Sequence, residues 1–211
     1  MERKSPGNVL SSFTNVTFTF DSIMKLPRFK IFLISGILCS TSYGLNIGSE
    51  VPFFTALDDI VRRWKFSKEV QESGVVMFFY PAAMTSGCTK QACGFQDDHK
   101  VWKTSDFEVI GISGVQSKNL SLFKKANGIS YKMLSDREGK IAEKFGVPTG
   151  KGGKIGRFIN GEKYSLHRGI TAKRWTLVIS AQGRILLMDK QVRAASNSQD
   201  LLKLLDLKQK P

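Results

Sequence analysis

Cysteine is scarce in this chain: 211 residues hold three, Cys39, Cys88 and Cys93. That is too few for a disulfide-stapled scaffold, and a chain of this length does not need one. Histidine is scarcer, with only His99 and His167. Cys88 and Cys93 are spaced C-x4-C, and His99 follows six residues later, which is not a zinc register. Acidic residues are few, 18 against 32 lysines and arginines, for a net charge of +14. A basic balance admits nucleic acid or an anionic membrane face as a partner. The lysines are scattered, however, and no basic run interleaves with aromatics. The charge therefore reads as a solvated surface, with no specific nucleic-acid partner. Glycine and proline are ordinary in number and evenly spread, which excludes a collagen-like or low-complexity chain. What is abundant is apolar: 41% of residues are hydrophobic and 15 are Phe, enough to bury a proper core.

The first 44 residues read as a leader, and 45–211 as one domain. Residues 1–23 are rich in Ser, Thr and Asn without a clear period, and Met24 opens a different pattern that suggests an alternative start. Lys25, Arg28 and Lys30 precede a short apolar run at 31–39, and Ser40-Thr41-Ser42 follow it. Positive, apolar, then small is the order of a secretory signal peptide, with Ser42 and Gly44 at −3 and −1 of a cleavage after Gly44. The run is too short to span a bilayer comfortably, so no permanent membrane anchor is expected. Export to a periplasm or outside the cell is the first expectation. A bipartite presequence for a plastid or other organelle is the alternative.

Beyond Gly48 the pattern alternates. Residues 75–80 form a continuous apolar run of strand length, read as a buried strand. Residues 88 to about 103 read as a helix, with Cys88, Ala92, Phe95, His99 and Trp102 spaced by three and four. Further strands are expected at 107–112, 175–179 and 185–188. Helices are expected at 120–126, ending at Asn127-Gly128, at 140–145, and at 199–207. Residues 149–174, rich in Gly and Lys, read as an irregular insertion or a hairpin. Their Gly150-Lys151-Gly152-Gly153-Lys154 lacks the Gly-x4-Gly-Lys-Ser/Thr order of a phosphate loop. Strands alternating with helices, then a late hairpin, indicate a three-layer α/β sandwich with a mixed central sheet flanked by helices.

The chemistry concentrates in Tyr80-Pro81-Ala82-Ala83-Met84-Thr85-Ser86-Gly87-Cys88-Thr89-Lys90-Gln91-Ala92-Cys93. A strand ends, a loop turns, and a cysteine opens a helix. Unpaired amides and the positive dipole end of a helix favour a thiolate, which is the nucleophilic form. A single cysteine in such a place is also commonly a small buried hydrophobe.

Pro81-x3-Thr85-x2-Cys88 resembles the peroxidatic-cysteine motif of peroxiredoxins. Gly87-Cys88-Thr89-x-x-Ala92-Cys93 is similar to the peroxiredoxin Q subfamily, also called bacterioferritin comigratory protein. The likeness runs from Gly48-x3-Pro52-x-Phe54 to the C-terminal helix and includes Val109-Ile110-Gly111-Ile112-Ser113 and Leu134-Ser135-Asp136. It implies a thioredoxin-like fold and a two-cysteine peroxidase acting on hydrogen peroxide and organic hydroperoxides. It further implies recycling by thioredoxin or a similar dithiol protein, no cofactor or metal, and a monomer. By the same likeness Cys88 would attack the peroxide and Cys93 would resolve the product. Thr85 would position the peroxide, Pro81 would shield the pocket, and Arg174 would be the active-site arginine. Lys173 and Arg168 are alternatives for that last role, because 149–173 is longer and more basic than the subfamily leads one to expect. The loop also departs from the family at Ala83, Met84 and Ser86.

One demand on this assignment is geometric. On a helix, five residues rise about 7.5 Å, and Cα atoms more than about 7 Å apart cannot be bridged without backbone movement. A Cys88–Cys93 disulfide would therefore require the helix to unwind locally. Competing functions are a thiol–disulfide oxidoreductase, weakened by the missing Cys-x-x-Cys, and a redox-sensing or chaperone-like binding protein.

Overall fold

The computed structural model describes residues 45–67, 72–159 and 161–206. The expected leader, 1–44 with Cys39, lies outside the described residues, so the division at 44 is not addressed by them.

The apolar run after Gly74 is the central strand. Strand β3 (Gly74–Phe79) is buried at all six positions. It pairs in parallel with β4 (Phe107–Ser113) and antiparallel with β8 (Trp175–Ile179). A strand covered on both faces has no reason to alternate, which is why it reads as an unbroken hydrophobic stretch. Its side chains divide by parity, as a pleat requires. Val76 and Phe78 enter one core with the following Tyr80, while Val75, Met77 and Phe79 enter the other.

The full sheet has seven strands in the order β2 (Arg63–Phe66), β1 (Phe54–Asp58), β5 (Lys132–Ser135), β4, β3, β8, β9 (Ile185–Asp189). The β3–β4 and β4–β5 pairs are parallel and the others antiparallel, so the sheet is mixed. On one face lie α1 (Ser86–Asp97), α2 (His99–Thr104), α3 (Ser117–Ala126) and α5 (Asn197–Leu204). They contribute Ala92, Phe95, Trp102, Leu120, Phe123 and Leu201 to the core. On the other face α4 (Lys140–Lys144) brings Ile141 and Ala142 against Phe54, Phe79 and Phe145. This is the expected three-layer sandwich.

Several boundaries differ from the sequence reading. The helix expected from 88 to about 103 is two helices, broken at Asp98. That carboxylate, a poor helix former in its own right, accepts a 2.6 Å hydrogen bond from Gln199. Helix α3 starts at Ser117 rather than 120. It ends at Asn127-Gly128 as expected, with Gly128 left-handed and the Ile129 amide reaching back to the Lys124 carbonyl. Strands β1, β2 and β5 were not anticipated.

Residues 149–172 resolve the insertion-or-hairpin alternative. They form one long hairpin, β6 (Thr149–Ile159) and β7 (Glu162–Ala172), in register from Thr149↔Ala172 to Ile159↔Glu162 and apart from the main sheet. Its β7 strand is tied to the link between β4 and α3. The Gly169 amide donates to the Gly114 carbonyl, the Gln116 amide donates to the His167 carbonyl, and the His167 amide donates to Asn119 Oδ1 at 2.9 Å. Glycine is required at that crossing: a Cβ on Gly114 would lie 2.3 Å from the Ile170 carbonyl oxygen.

Candidate active site

Helix α1 begins where β3 has delivered the chain to the C-terminal edge of the sheet. Thr85 is the N-cap by backbone conformation, and the Thr89 amide donates to the Thr85 carbonyl at 2.8 Å. Cys88 is therefore third in the helix. The amides of that first turn have no partner within the helix, and the positive end of its dipole lies there. Cys88 as a residue is 1% exposed.

The cation at this sulfur is Arg174. Its Nη2 donates to Cys88 Sγ at 3.3 Å. Of the three basic residues considered for the role, Arg174 is the one placed there. Arg168 turns its Nε to Thr171 Oγ1, and Lys173 is exposed. The register of β8 explains this: Arg174 sits immediately before Trp175, which is opposite Phe79 at the end of β3. The side chain thus emerges beside the start of α1.

Arg174 is itself held. Its Nη1 donates to Gln91 Oε1. Gln91 Nε2 donates to Asn197 Oδ1 at 2.9 Å, and Thr176 Oγ1 donates to the same oxygen at 2.8 Å. Gln91, Asn197 and Thr176 are all buried, so this polar chain fixes the guanidinium inside the protein. The sequence reading missed all three. Gln91 was within reach, since three residues after Cys88 on a helix it shares the cysteine's face. Asn197, 106 residues further on, left no local signal.

Thr85 is half-buried and donates its hydroxyl to the Ala82 carbonyl at 3.0 Å, which leaves its oxygen lone pairs able to accept. Pro81 is half-buried at the end of β3. Tyr80 is fully buried and donates to Met133 Sδ at 3.1 Å. Its phenol is pushed well above the usual range, first by burial and then by neighbouring Cys88 and Asp59.

Cys93 lies about one and a half turns further along α1 and is partly exposed. Both thiols are free. Burial first, then the Asp97 carboxylate, raises the Cys93 thiol above its ordinary pKa. One helix thus carries a sulfur facing a cation and a sulfur facing an anion.

A family model describing the AhpC/TSA family matches residues 47–188. The chain belongs to the AhpC/TSA family. Among curated relatives, Peroxiredoxin bcp1 of Schizosaccharomyces pombe is 36% identical over 113 residues, 54% of this chain and 58% of that protein. A chloroplastic Peroxiredoxin Q of Suaeda salsa is 35% identical over 139 residues, 66% of this chain and 63% of that protein. The matches thus span about three-fifths of the length of these curated relatives. Among solved structures, a Peroxidoxin BcpB from Mycobacterium tuberculosis aligns with a TM-score of 0.62 at 29% identity. That alignment covers 77% of this chain and 97% of that one. A PrxQ mutant from Xylella fastidiosa aligns with a TM-score of 0.63 over 77% and 96% of the two chains; at 19% identity it bears on the fold alone. For this AhpC/TSA member, the thioredoxin-like fold expected from the sequence is the fold observed.

Proposed function

We propose that the chain is a thiol-dependent peroxidase in which Cys88 is the peroxidatic residue and Cys93 resolves it. The observation that carries this reading is the Arg174 guanidinium 3.3 Å from a buried sulfur in the first turn of a helix. Membership of a family whose relatives are named peroxiredoxins supports it.

In this reading the Cys88 thiolate attacks the distal oxygen of a hydroperoxide. A sulfur–oxygen bond forms and the oxygen–oxygen bond breaks. The leaving alkoxide or hydroxide takes a proton, giving alcohol or water and a sulfenic acid. The Arg174 cation and the first-turn amides of α1 face the oxygens on which negative charge develops. Thr85 Oγ1, its own proton committed to Ala82, accepts from the peroxide hydroxyl. The Cys93 thiol then attacks the sulfenic sulfur, water leaves, and a disulfide remains. A dithiol protein of the thioredoxin kind reduces it, restoring both thiols at the expense of its own. Because both cysteines lie in one continuous helix, the disulfide step requires the start of α1 to unwind. For compartment, the relatives named chloroplastic support the organelle alternative over export.

The test uses the full chain, reduced, with one equivalent of hydrogen peroxide. Loss of two hydrogens with Cys88 linked to Cys93 in a tryptic map is the expected result. One added oxygen on Cys88 without a disulfide would retain the peroxidase and remove Cys93 as resolver. No change at either cysteine would overturn the reading.

A further inference from the structure

The long hairpin reaches the Cys88 loop. Arg157, exposed on β6, donates from Nε to the carbonyl oxygen of Met84 at 2.8 Å, across 73 residues of sequence. Its Nη1 donates to the Gly156 carbonyl at 2.9 Å, which orients the guanidinium along its own strand. Met84 has a left-handed backbone, φ 61°, a conformation that a long side chain adopts only at a cost. Its Sδ lies 3.8 Å from the Asn127 side-chain amide, and its side chain packs on the core. Two long-range contacts thus converge on the one strained residue between Tyr80 and Cys88.

Of the other side-chain bonds in this loop, the Asn127–Met84 contact is a long one to sulfur, and the Thr85–Ala82 bond is local and travels with the loop. The Arg157 bond does not. The hairpin is anchored to the β4–α3 link through Gly114, Gln116 and Asn119, none of which belongs to α1 or to the loop before it. Arg157 therefore stands on a platform whose own anchors lie outside α1.

We propose that Arg157 is a positioning residue: its bond to the Met84 carbonyl holds the Cys88 loop in its folded form and so sets how oxidised Cys88 divides between two fates. This rests on the peroxidase reading above. The sulfenic acid has two exits. One is unimolecular: the loop opens, Cys93 attacks, and water leaves. The other is bimolecular: a second hydroperoxide transfers an oxygen to the still-folded sulfenate, its oxygen–oxygen bond breaks to release alcohol or water, and Cys88 becomes a sulfinic acid. The tie slows the first exit and leaves the second open. An exposed charged hydrogen bond is worth little more than about 1 kcal/mol net, so its removal speeds opening about three- to tenfold.

The experiment compares the full chain with Arg157→Ala, Arg157→Lys and Lys154→Ala. The last removes one exposed charge from the same strand without touching the loop. Each is cycled with dithiothreitol and increasing hydrogen peroxide, and the sulfinic form is counted by intact mass. The expected result for R157A is that about three- to tenfold more peroxide is needed for half-conversion. R157K returns toward the parent, because lysine can still donate to Met84, and K154A behaves as the parent. An unchanged or lowered concentration in R157A would overturn the proposal. An equal shift in K154A would do so as well, since charge rather than the bond would then be responsible. Hydrogen exchange of residues 82–90 is measured on the same reduced proteins. Faster exchange in R157A alone is expected, and unchanged exchange overturns the tie whatever the chemistry. If the parent forms no Cys88–Cys93 disulfide, the assignment of Cys93 as resolver fails by itself, and the exchange result still decides whether Arg157 holds the loop.

Discussion

The two cysteines of α1 are five residues apart on one helix and live in opposite electrostatic settings. Cys88 is buried, sits in the first turn where helix amides are free, and receives a hydrogen bond from Arg174. Cys93 is partly exposed, sits past the helix start, and has Asp97 four residues on, the neighbour a helix places beside it. Under the proposed function the same functional group is thus prepared for two tasks. A sulfur facing a cation suits attack on an oxygen that becomes negative. A sulfur kept protonated by burial and a carboxylate is a poor competitor for peroxide and stays available to resolve. The pairing also separates the two in time, because an intact α1 keeps them from bonding.

The sharpest way to break this comparison is to remove the cation. Arg174→Ala is expected to lower the second-order rate of peroxide reduction by about 10²–10³-fold, the usual loss when a donor aimed at developing charge is deleted. Cys88→Ser abolishes the reaction at any reductant concentration, since Cys93 faces the wrong charge to substitute. If C88S retains appreciable turnover while Cys93→Ser does not, the roles are reversed. With the expected roles, C93S completes one turnover, accumulates a sulfenic acid that dimedone traps, and stalls with a thioredoxin-type reductant.

A smaller effect is expected one step back from the sulfur. Gln91→Leu takes the acceptor from Arg174 Nη1 and the donor from Asn197 while conserving much of the volume. It leaves a half-buried guanidinium less constrained, with a stability cost of about 1–3 kcal/mol. The peroxide rate should fall by about tenfold, less than for R174A, because the cation is still present. Thermal unfolding measures the first quantity and stopped-flow peroxide consumption the second. A drop in stability with no drop in rate would mean that the Gln91–Asn197–Thr176 chain supports the fold without orienting the arginine.

How visible these parts were in the sequence follows from how local their causes are. The 75–80 strand and the cysteine-opened helix announce themselves through a continuous apolar run and a three-four spacing. Arg174 was legible only through the family resemblance, which puts an active-site arginine just before the 175–179 strand; the pairing of that strand with β3 is seen only in the fold. Strands β1 and β2 were not read: their pairing with one another, and of β1 with β5, is set by tertiary contact rather than by propensity. The sequence of the β6–β7 hairpin admits either an insertion or a hairpin because most of it is solvated. Among its 11-residue strands only Leu166 and Ala172 are fully buried, so the period of two that marks a half-buried strand is faint. Arg157 then looked like one more surface charge. Only the fold shows that it reaches Met84.

The gentlest test of the comparison concerns Cys93 and pH. With its thiol raised by burial and by Asp97, Cys93 should react with iodoacetamide along a titration whose midpoint lies above that of cysteine in the unfolded chain. Asp97→Asn removes the second of these causes and leaves the first. Its midpoint should therefore fall part of the way, measured by peptide mass after short alkylation pulses in a Cys88→Ser background. The linkage has a definite sign. Between the unfolded and the folded pKa the native state holds the Cys93 proton more tightly than the unfolded state does. The stability attributable to this group is thus complete below the unfolded pKa and is lost as pH rises through the folded one. D97N should narrow that window, so its unfolding midpoint in denaturant should decline less steeply at alkaline pH than the parent's. A midpoint for Cys93 at or below that of free cysteine would remove the asymmetry between the two sulfurs, and their division of labour would then rest on Arg174 and on the place of Cys88 in the first turn alone.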